Sequence, residues 1–334
     1  MSISASENNQ TSIESILEPI QKPLGSIENR FKEYVRSDNP AIQEMVDYVF
    51  VKSGKKLRPS LVFITSMIWD SKNYDEIIDL ALSIELIHIA TLVHDDVNDF
   101  SELRRGIETY NKKWGNTASV LFGDFLFARA FVILSKLGNL KIIQNLSKTT
   151  SEICEGEIMQ SLLKDEYEIS VDKYLKIIRY KTASLIGESC RVGAVIAGMG
   201  EEVENVLYRF GVNIGMAFQI YDDYLDFYGD QKSLGKPVFN DIQNGYITLP
   251  VIHLLSQVAN GKKDVFISKI KSQKDLNDLD GIKKMLDEHN SLKYTLDTAN
   301  DYIRKANKEL TDLKNETLKD YLSKASQFIV NRRF

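Results

Sequence analysis

Apolar residues recur at helical spacing, i, i+3, i+4 and i+7, along almost the whole chain, and the period-two alternation of strands is nearly absent. The pattern predicts an all-α protein. Helices are expected over Ser12–Tyr34, with a break near Pro19–Pro23, and from Pro40 to about Ser53, with Asn39 as N-cap and Pro40 in the first helical position. Further helices are expected over Pro59–Trp69, Tyr74–Phe100, Thr117–Lys136, Leu140–Leu163, Val171–Gly198, Glu201–Tyr228 and Ile247–Val258. Three or four shorter amphipathic helices then lead to Phe334. Arg104–Asn116 reads as irregular and Gly229–Gly245 as a polar loop. No proline lies between Pro59 and Pro237, and no Pro-, Gly- or Ser-rich linker divides the chain. The expectation is therefore one helical domain over 12–334 after a disordered start over 1–11. Its architecture would be a single large bundle of long antiparallel helices around a central cavity.

Composition narrows the function classes. Of 334 residues, 43% are apolar and 27% charged, with a net charge of −5, so no general basic face is available for nucleic acid. The two cysteines, Cys154 and Cys190, have neither metal spacing nor a disulfide framework, which fits a reducing cytoplasm. No apolar run is read as long enough to span a bilayer, which takes ~20 residues. The N-terminus lacks a basic-then-apolar signal layout. A cytoplasmic protein without a stable membrane anchor is expected.

Two acidic clusters of the same form stand out. Asp95, Asp96 and Asp99 end one apolar run, and Asp222, Asp223 and Asp226 end another. Carboxylates four apart on a helix share a face and repel, so the pattern favours a bound cation. Oxygen-only ligands select hard ions, Mg²⁺ above all, which completes its shell with substrate phosphates. One Asp-rich helix end would most simply be solvated surface. Two matching clusters could instead face each other across a bundle and hold a diphosphate.

Phosphates need cations beside them. Arg104 and Arg105 directly follow the first cluster, and arginine offers two-point contact to phosphate. Lys55 and Arg58 form a second basic pair on a Gly-flanked loop. Lys181 interrupts an apolar stripe formed by Tyr174, Ile177, Ile178 and Leu185; a lysine snorkelling to the surface is the plainer reading. Lys236 lies in a Gly-Lys-Pro loop ten residues past Asp226, where a lid could close.

The order of the motifs resembles the trans-isoprenyl diphosphate synthases of the polyprenyl synthetase family, closest in detail to medium- and long-chain bacterial members. The motifs are SGKKLRP, ELIHIATLVHDDVNDFSELRRG, WGNTASVLFGDFLFARA, EGEIMQ, KTASLIGES and FQIYDDYLDFYGDQKSLGKP, followed by DIQNGYITLP. The resemblance implies an isoprenoid synthase fold and sequential head-to-tail addition of isopentenyl diphosphate to an allylic diphosphate, farnesyl or geranylgeranyl diphosphate. It implies three Mg²⁺ per active site, held by Asp95, Asp96 and Asp99 on one wall and by Asp222, Asp223 and Asp226 on the other. Arg104, Lys181 and Lys236 would hold the allylic diphosphate, and Lys55, Arg58, His88 and Arg105 the isopentenyl diphosphate. Lys181, Thr182 and Gln219 would be the catalytic residues, Thr182 and Gln219 flanking the reacting carbons, where an allylic cation forms and the double bond attacks it. The released diphosphate would take the final proton. The family is commonly homodimeric, and the apolar Thr117–Lys136 helix suits core or a dimer interface.

Product length is read from the helix ahead of Asp95, each turn back being ~5.4 Å deeper. In short-chain relatives bulky aromatics lie four and five residues before the cluster; here those positions are Thr91 and Ala90, with Ile87 and Ile84 deeper. A C30–C40 product is expected, its floor formed by Phe125, Phe127 or Phe131. A shorter C20–C25 product is the alternative. Three departures from the family pattern are Gly245-Tyr246 where Gly-Lys is usual, Val238-Phe239 for Val-Gly, and Gly106-Ile107-Glu108-Thr109 without a proline. A class I terpene cyclase would also ionise allylic diphosphates, but its second metal motif would be of the Asn/Ser/Glu type. A silent partner subunit would typically lose one cluster, whereas a catalytic subunit that needs a small partner fits the intact motifs.

Overall fold

The computed structural model describes residues 18–52, 54, 56–228, 239–258, 260–272 and 279–330. The expected disordered start, Lys55 and Lys236 lie outside them. Among the described residues the regular secondary structure is helical apart from a short antiparallel pair, β1 (Leu103–Arg104) and β2 (Ile107–Glu108), with Arg104 opposite Ile107.

The helices in order are α1 (Gln21–Tyr34), α2 (Pro40–Tyr48), α3 (Leu57–Thr65), α4 (Tyr74–Asn98), α5 (Tyr110–Trp114), α6 (Asn116–Lys136), α7 (Leu140–Leu162), α8 (Val171–Ile178), α9 (Ser184–Ile196) and α10 (Glu201–Tyr228). Then come α11 (Asn240–Gln243), α12 (Leu249–Gln257), α13 (Asn260–Ser272), α14 (Leu279–Glu288), α15 (Ser291–Glu309) and α16 (Glu316–Val330). Local signals set several starts. Asn39 accepts from Ala41 N at 3.0 Å, Asn139 from Ile142 N at 3.2 Å and Ser170 from Lys173 N at 3.2 Å, each satisfying an orphan donor of a first turn. The helix expected over Val171–Gly198 is not regular: Arg179–Ala183 forms a π-helical turn between α8 and α9.

Helix α4 is apolar on nearly every side, and residues from Ile77 to Ile87 are almost all buried, as a helix at the centre of a bundle must be. It packs on α6, while α10 packs on α9 and α15. Glycines allow the α9–α10 approach. A Cβ on Gly211 would stand 2.7 Å from Gly187 Cα, and one on Gly215 would stand 2.6 Å from Ala183 Cα. Two apolar clusters result. One is built mainly on α1 to α7, α9 and the first part of α10; the other joins α8 and the C-terminal end of α10 to α12, α13, α14 and α15. Tyr174, Ile178 and Ile247 of the second cluster line the cavity described below.

One expectation is corrected. Two helices, Tyr74–Asn98 and Asn116–Lys136, are long and apolar enough to cross a membrane by length and composition. Both were missed because scattered polar residues interrupt each run. The apolar window of α4 is 67% buried inside the bundle, that of α6 only 39%.

Candidate active site

The first wall is the C-terminal end of α4. Asp95 and Asp99 are partly exposed, whereas Asp96 turns inward at 3% exposure and accepts from Arg104 Nε at 2.7 Å. Arg104 is thereby anchored to the acid cluster it follows. Arg105 and Gly106, both at positive φ, form the turn between β1 and β2. That turn carries the Arg105 guanidinium back onto Gly54, where a Cβ would meet Nη1 at 2.6 Å.

Arg105 joins Arg58 and His88 in a basic recess. Burial, then the nearby Arg58, Arg104 and Arg105, hold the His88 imidazole well below its usual pKa, so it is neutral. Burial likewise lowers Arg58 to about 10, although Glu85 opposes this. Arg58 Nε is shielded from solvent and has no hydrogen-bond partner among the described residues. Two guanidinium groups with an unused donor form a site short of an anion.

Lys181 comes from the π-helical turn. Its Nζ lies 2.9 Å from Glu157 Oε2, 2.8 Å from Gln160 Oε1 and 3.5 Å from Asp95 Oδ1. Burial alone would lower its pKa, but Asp95 and Glu157 outweigh that and raise it. Burial and the Asp95 charge push Glu157 up to about 7. The contact with Asp95 is a long ion pair and not a hydrogen bond, so Asp95 Oδ1 accepts no hydrogen bond among the described residues.

The second wall treats its three aspartates differently. Asp223 is buried, accepting from Tyr174 Oη at 2.6 Å and Gln219 Nε2 at 2.9 Å, and Thr182 Oγ1 donates to Gln219 Oε1 at 2.8 Å. Burial, then Asp241, raise Asp223 well above the carboxylate range. Asp226 is wholly buried and caps α11, its two oxygens accepting from Asn240 N and Asp241 N, each at 3.2 Å. Asp222 alone of the three is half-buried.

The walls enclose a cavity of about 140 Å³, lined among others by Asp99, Lys181, Thr182, Gln219, Asp223 and Asp241. The cluster aspartates, Lys181, Thr182, Gln219 and the Arg58–His88–Arg105 recess are thus brought to one end of the bundle. Three cavity-side residues were missed in the sequence. Glu157 and Gln160 lie in the EGEIMQ segment, where i, i+3 spacing was the available signal. Asp241 had no signal, because its position depends on Asp226 folding the following segment back. Of the depth-gauge residues, Ala90, Ile87 and Ile84 are fully buried, and Thr91 is partly exposed with its hydroxyl on His88 O at 2.7 Å. Phe125, Phe127 and Phe131 are half-buried, with the Phe127 ring 5.8 Å from that of His94.

A helical bundle with a cavity between two Asp-rich helices defines an isoprenoid synthase fold. More narrowly, the chain belongs to the polyprenyl synthetase family, whose model, Polyprenyl synthetase, matches residues 39–288. It is a prenyltransferase. It is 34% identical over 310 residues to heptaprenyl diphosphate synthase component 2 of Bacillus subtilis, covering 92% of this chain and 87% of that one. It is 32% identical over 320 residues to geranylgeranyl diphosphate synthase of Saccharolobus solfataricus, covering 93% and 96%. Among solved structures, polyprenyl synthase of Caulobacter crescentus, complexed with calcium and isoprenyl diphosphate, superimposes with a TM-score of 0.89 at 30% identity, covering 97% and 98%.

Proposed function

We propose that the protein is an all-trans polyprenyl diphosphate synthase that adds isopentenyl diphosphate repeatedly, head to tail, to farnesyl or geranylgeranyl diphosphate. The observation that carries this reading is a complementary pair of polar atoms at one end of the bundle. Among the described residues Asp95 Oδ1 accepts no hydrogen bond, its cation neighbour being Lys181 Nζ at 3.5 Å, and Arg58 Nε donates none. The first suits a hard cation and the second a diphosphate.

The donor set fits Mg²⁺. Asp95 and Asp99 on one wall and Asp222 with Asp241 on the other offer oxygen ligands only, and waters and phosphates would complete the shell. When bound, Mg²⁺ supplies Lewis acidity against the charge that builds on a leaving diphosphate. Lys181 and Arg104 hold the allylic diphosphate, while Arg58, Arg105 and neutral His88 hold isopentenyl diphosphate. Gln219 is fixed by Thr182 and Asp223, so its amide is pre-oriented beside the reacting carbons, where such fixed dipoles stabilise developing charge. The tail of the growing chain runs along α4 past Thr91, and the proposed product is C30–C40. A homodimer is supported by the apolar face of α6, which leaves Val120, Leu121 and Val132 exposed.

The test is to incubate the purified chain with Mg²⁺, farnesyl diphosphate and labelled isopentenyl diphosphate. Elongation to C30–C40 is expected. Turnover only after addition of a small partner protein would favour a second reading, the catalytic subunit of a two-component synthase, for which the name of the Bacillus relative speaks. No incorporation under either condition would refute both.

A further inference from the structure

Past α11 the chain crosses the cavity and touches the opposite wall. Tyr246 Oη donates to Asp99 Oδ1 at 2.9 Å, and both residues line the 140 Å³ cavity. Tyr246 is held from behind. Its backbone N–H donates to Asp241 O at 2.8 Å, and Asp165 N–H donates to Gly245 O at 2.9 Å. The Lys164 ammonium lies 5.8 Å from the centre of its ring. The hydroxyl is therefore positioned on Asp99 by backbone on its own side of the cavity. Asp95, one turn back on the same face, accepts no hydrogen bond at Oδ1 among the described residues and has only the 3.5 Å ion pair with Lys181 there. The two carboxylates that would share a cation are thus unequal: Asp95 has a long ion pair at Oδ1, and Asp99 has an oxygen engaged by a hydrogen bond.

We infer that Tyr246 is a latch on the first wall: its hydroxyl occupies Asp99 until a divalent cation arriving with a diphosphate displaces it, so that Tyr246 sets how much cation the enzyme requires. This rests on the proposed Mg²⁺–diphosphate reading of the cavity. Tyr246 is a positioning residue that acts through Asp99. A phenol donating to a carboxylate is a charge-assisted hydrogen bond, and this one joins the segment after α11 to the C-terminal end of α4.

The experiment measures Mn²⁺ binding in the presence of inorganic diphosphate by the electron paramagnetic resonance signal of free Mn²⁺, for the whole protein and for Tyr246→Phe. Losing one hydrogen bond to a charged group should tighten Mn²⁺ binding by about 10- to 100-fold. The Mg²⁺ concentration for half-maximal turnover should fall by the same factor. Unchanged or weaker Mn²⁺ binding in Tyr246→Phe overturns the latch. Tyr246→Leu also lacks the hydroxyl and takes the place of the first variant if thermal melting shows that Tyr246→Phe does not fold. Failure of the unmodified protein to take up Mn²⁺ with diphosphate would sink the cavity reading itself, an outcome distinct from a latch that does nothing.

Discussion

Lys181 Nζ donates to Glu157 Oε2 across 2.9 Å, from the π-helical turn to α7. Its other carboxylate neighbour, Asp95, is 3.5 Å away. One ammonium therefore neutralises two acids that otherwise face each other at the cavity edge. Lys181→Ala should lower kcat/KM for farnesyl diphosphate by about 100-fold or more, with part of the loss in KM because a diphosphate contact disappears. Glu157→Gln keeps an acceptor for Lys181 and should lose much less. Steady-state kinetics with farnesyl diphosphate as the varied substrate check both, and equal losses in the two variants would contradict the assignment.

Asp222 and Asp226 differ in what surrounds them. Asp226 caps α11 from a fully buried position. Asp226→Ala should therefore destabilise the fold by about 1–2 kcal/mol, the usual cost of a lost cap, and displace Asp241 from the cavity. Asp222→Ala should leave stability within about 0.5 kcal/mol but raise the Mg²⁺ requirement. Denaturant melts beside Mg²⁺ titrations of turnover separate the two; a stable Asp226→Ala would show that the cap is dispensable.

Thr91 and Ala90 are adjacent, but only Thr91 has room around it. Thr91→Phe should fold and shorten the product to C15–C20. Ala90 is fully buried, so Ala90→Phe should overpack α4 and cost about 1–3 kcal/mol or more. Chromatography of the products and thermal melts test the pair. An unchanged product distribution in Thr91→Phe would remove Thr91 from the tail path.

Glu188 on α9 is 1% exposed, with Arg191 Nη1 3.2 Å from its carboxylate. Burial pushes it up to about 7, against the opposing pull of Arg191 and Asn145. Between its unfolded value near 4.5 and about 7 the folded state keeps a proton that the unfolded state has released. Stability should therefore fall as pH rises through that window, by on the order of 3 kcal/mol from this group. Glu188→Gln should flatten that part of the profile, and urea unfolding from pH 4.5 to 7.5 would reveal it. A slope that persists in the variant must come from another group.

The long elements were legible because their apolar spacing runs unbroken: Glu201–Tyr228 forms over the expected span, and Thr117–Lys136 differs by one residue at its start. The acid clusters were legible as a cation site for the same periodic reason. Periodicity could not say which way each aspartate turns, since Asp226 lies three residues from Asp223 and four from Asp222 and shares a face with either. Packing of the segment after Phe239 chooses Asp223 and Asp226 as the inward pair. Asp241 and the Tyr246–Asp99 contact were unreadable because each depends on a partner distant in sequence, whereas Glu157 offered only its spacing from Gln160. Ala90 and Thr91 look alike as small residues, and only the bundle makes one of them packed and the other accessible.

The π-helical turn at Arg179–Ala183 bears on how this chain can change. Neighbouring residues on a regular helix point about 100° apart, yet Lys181 and Thr182 both line one cavity. The extra residue in the turn works as a phase shifter between α8 and α9. Deleting any one residue of it would restore a regular helix only by rotating α9 against α10, where Gly187 and Gly211 leave no clearance. The chemistry and the helix seam are thus locked to the same register, and drift in this segment must proceed by substitution, not by changes of length.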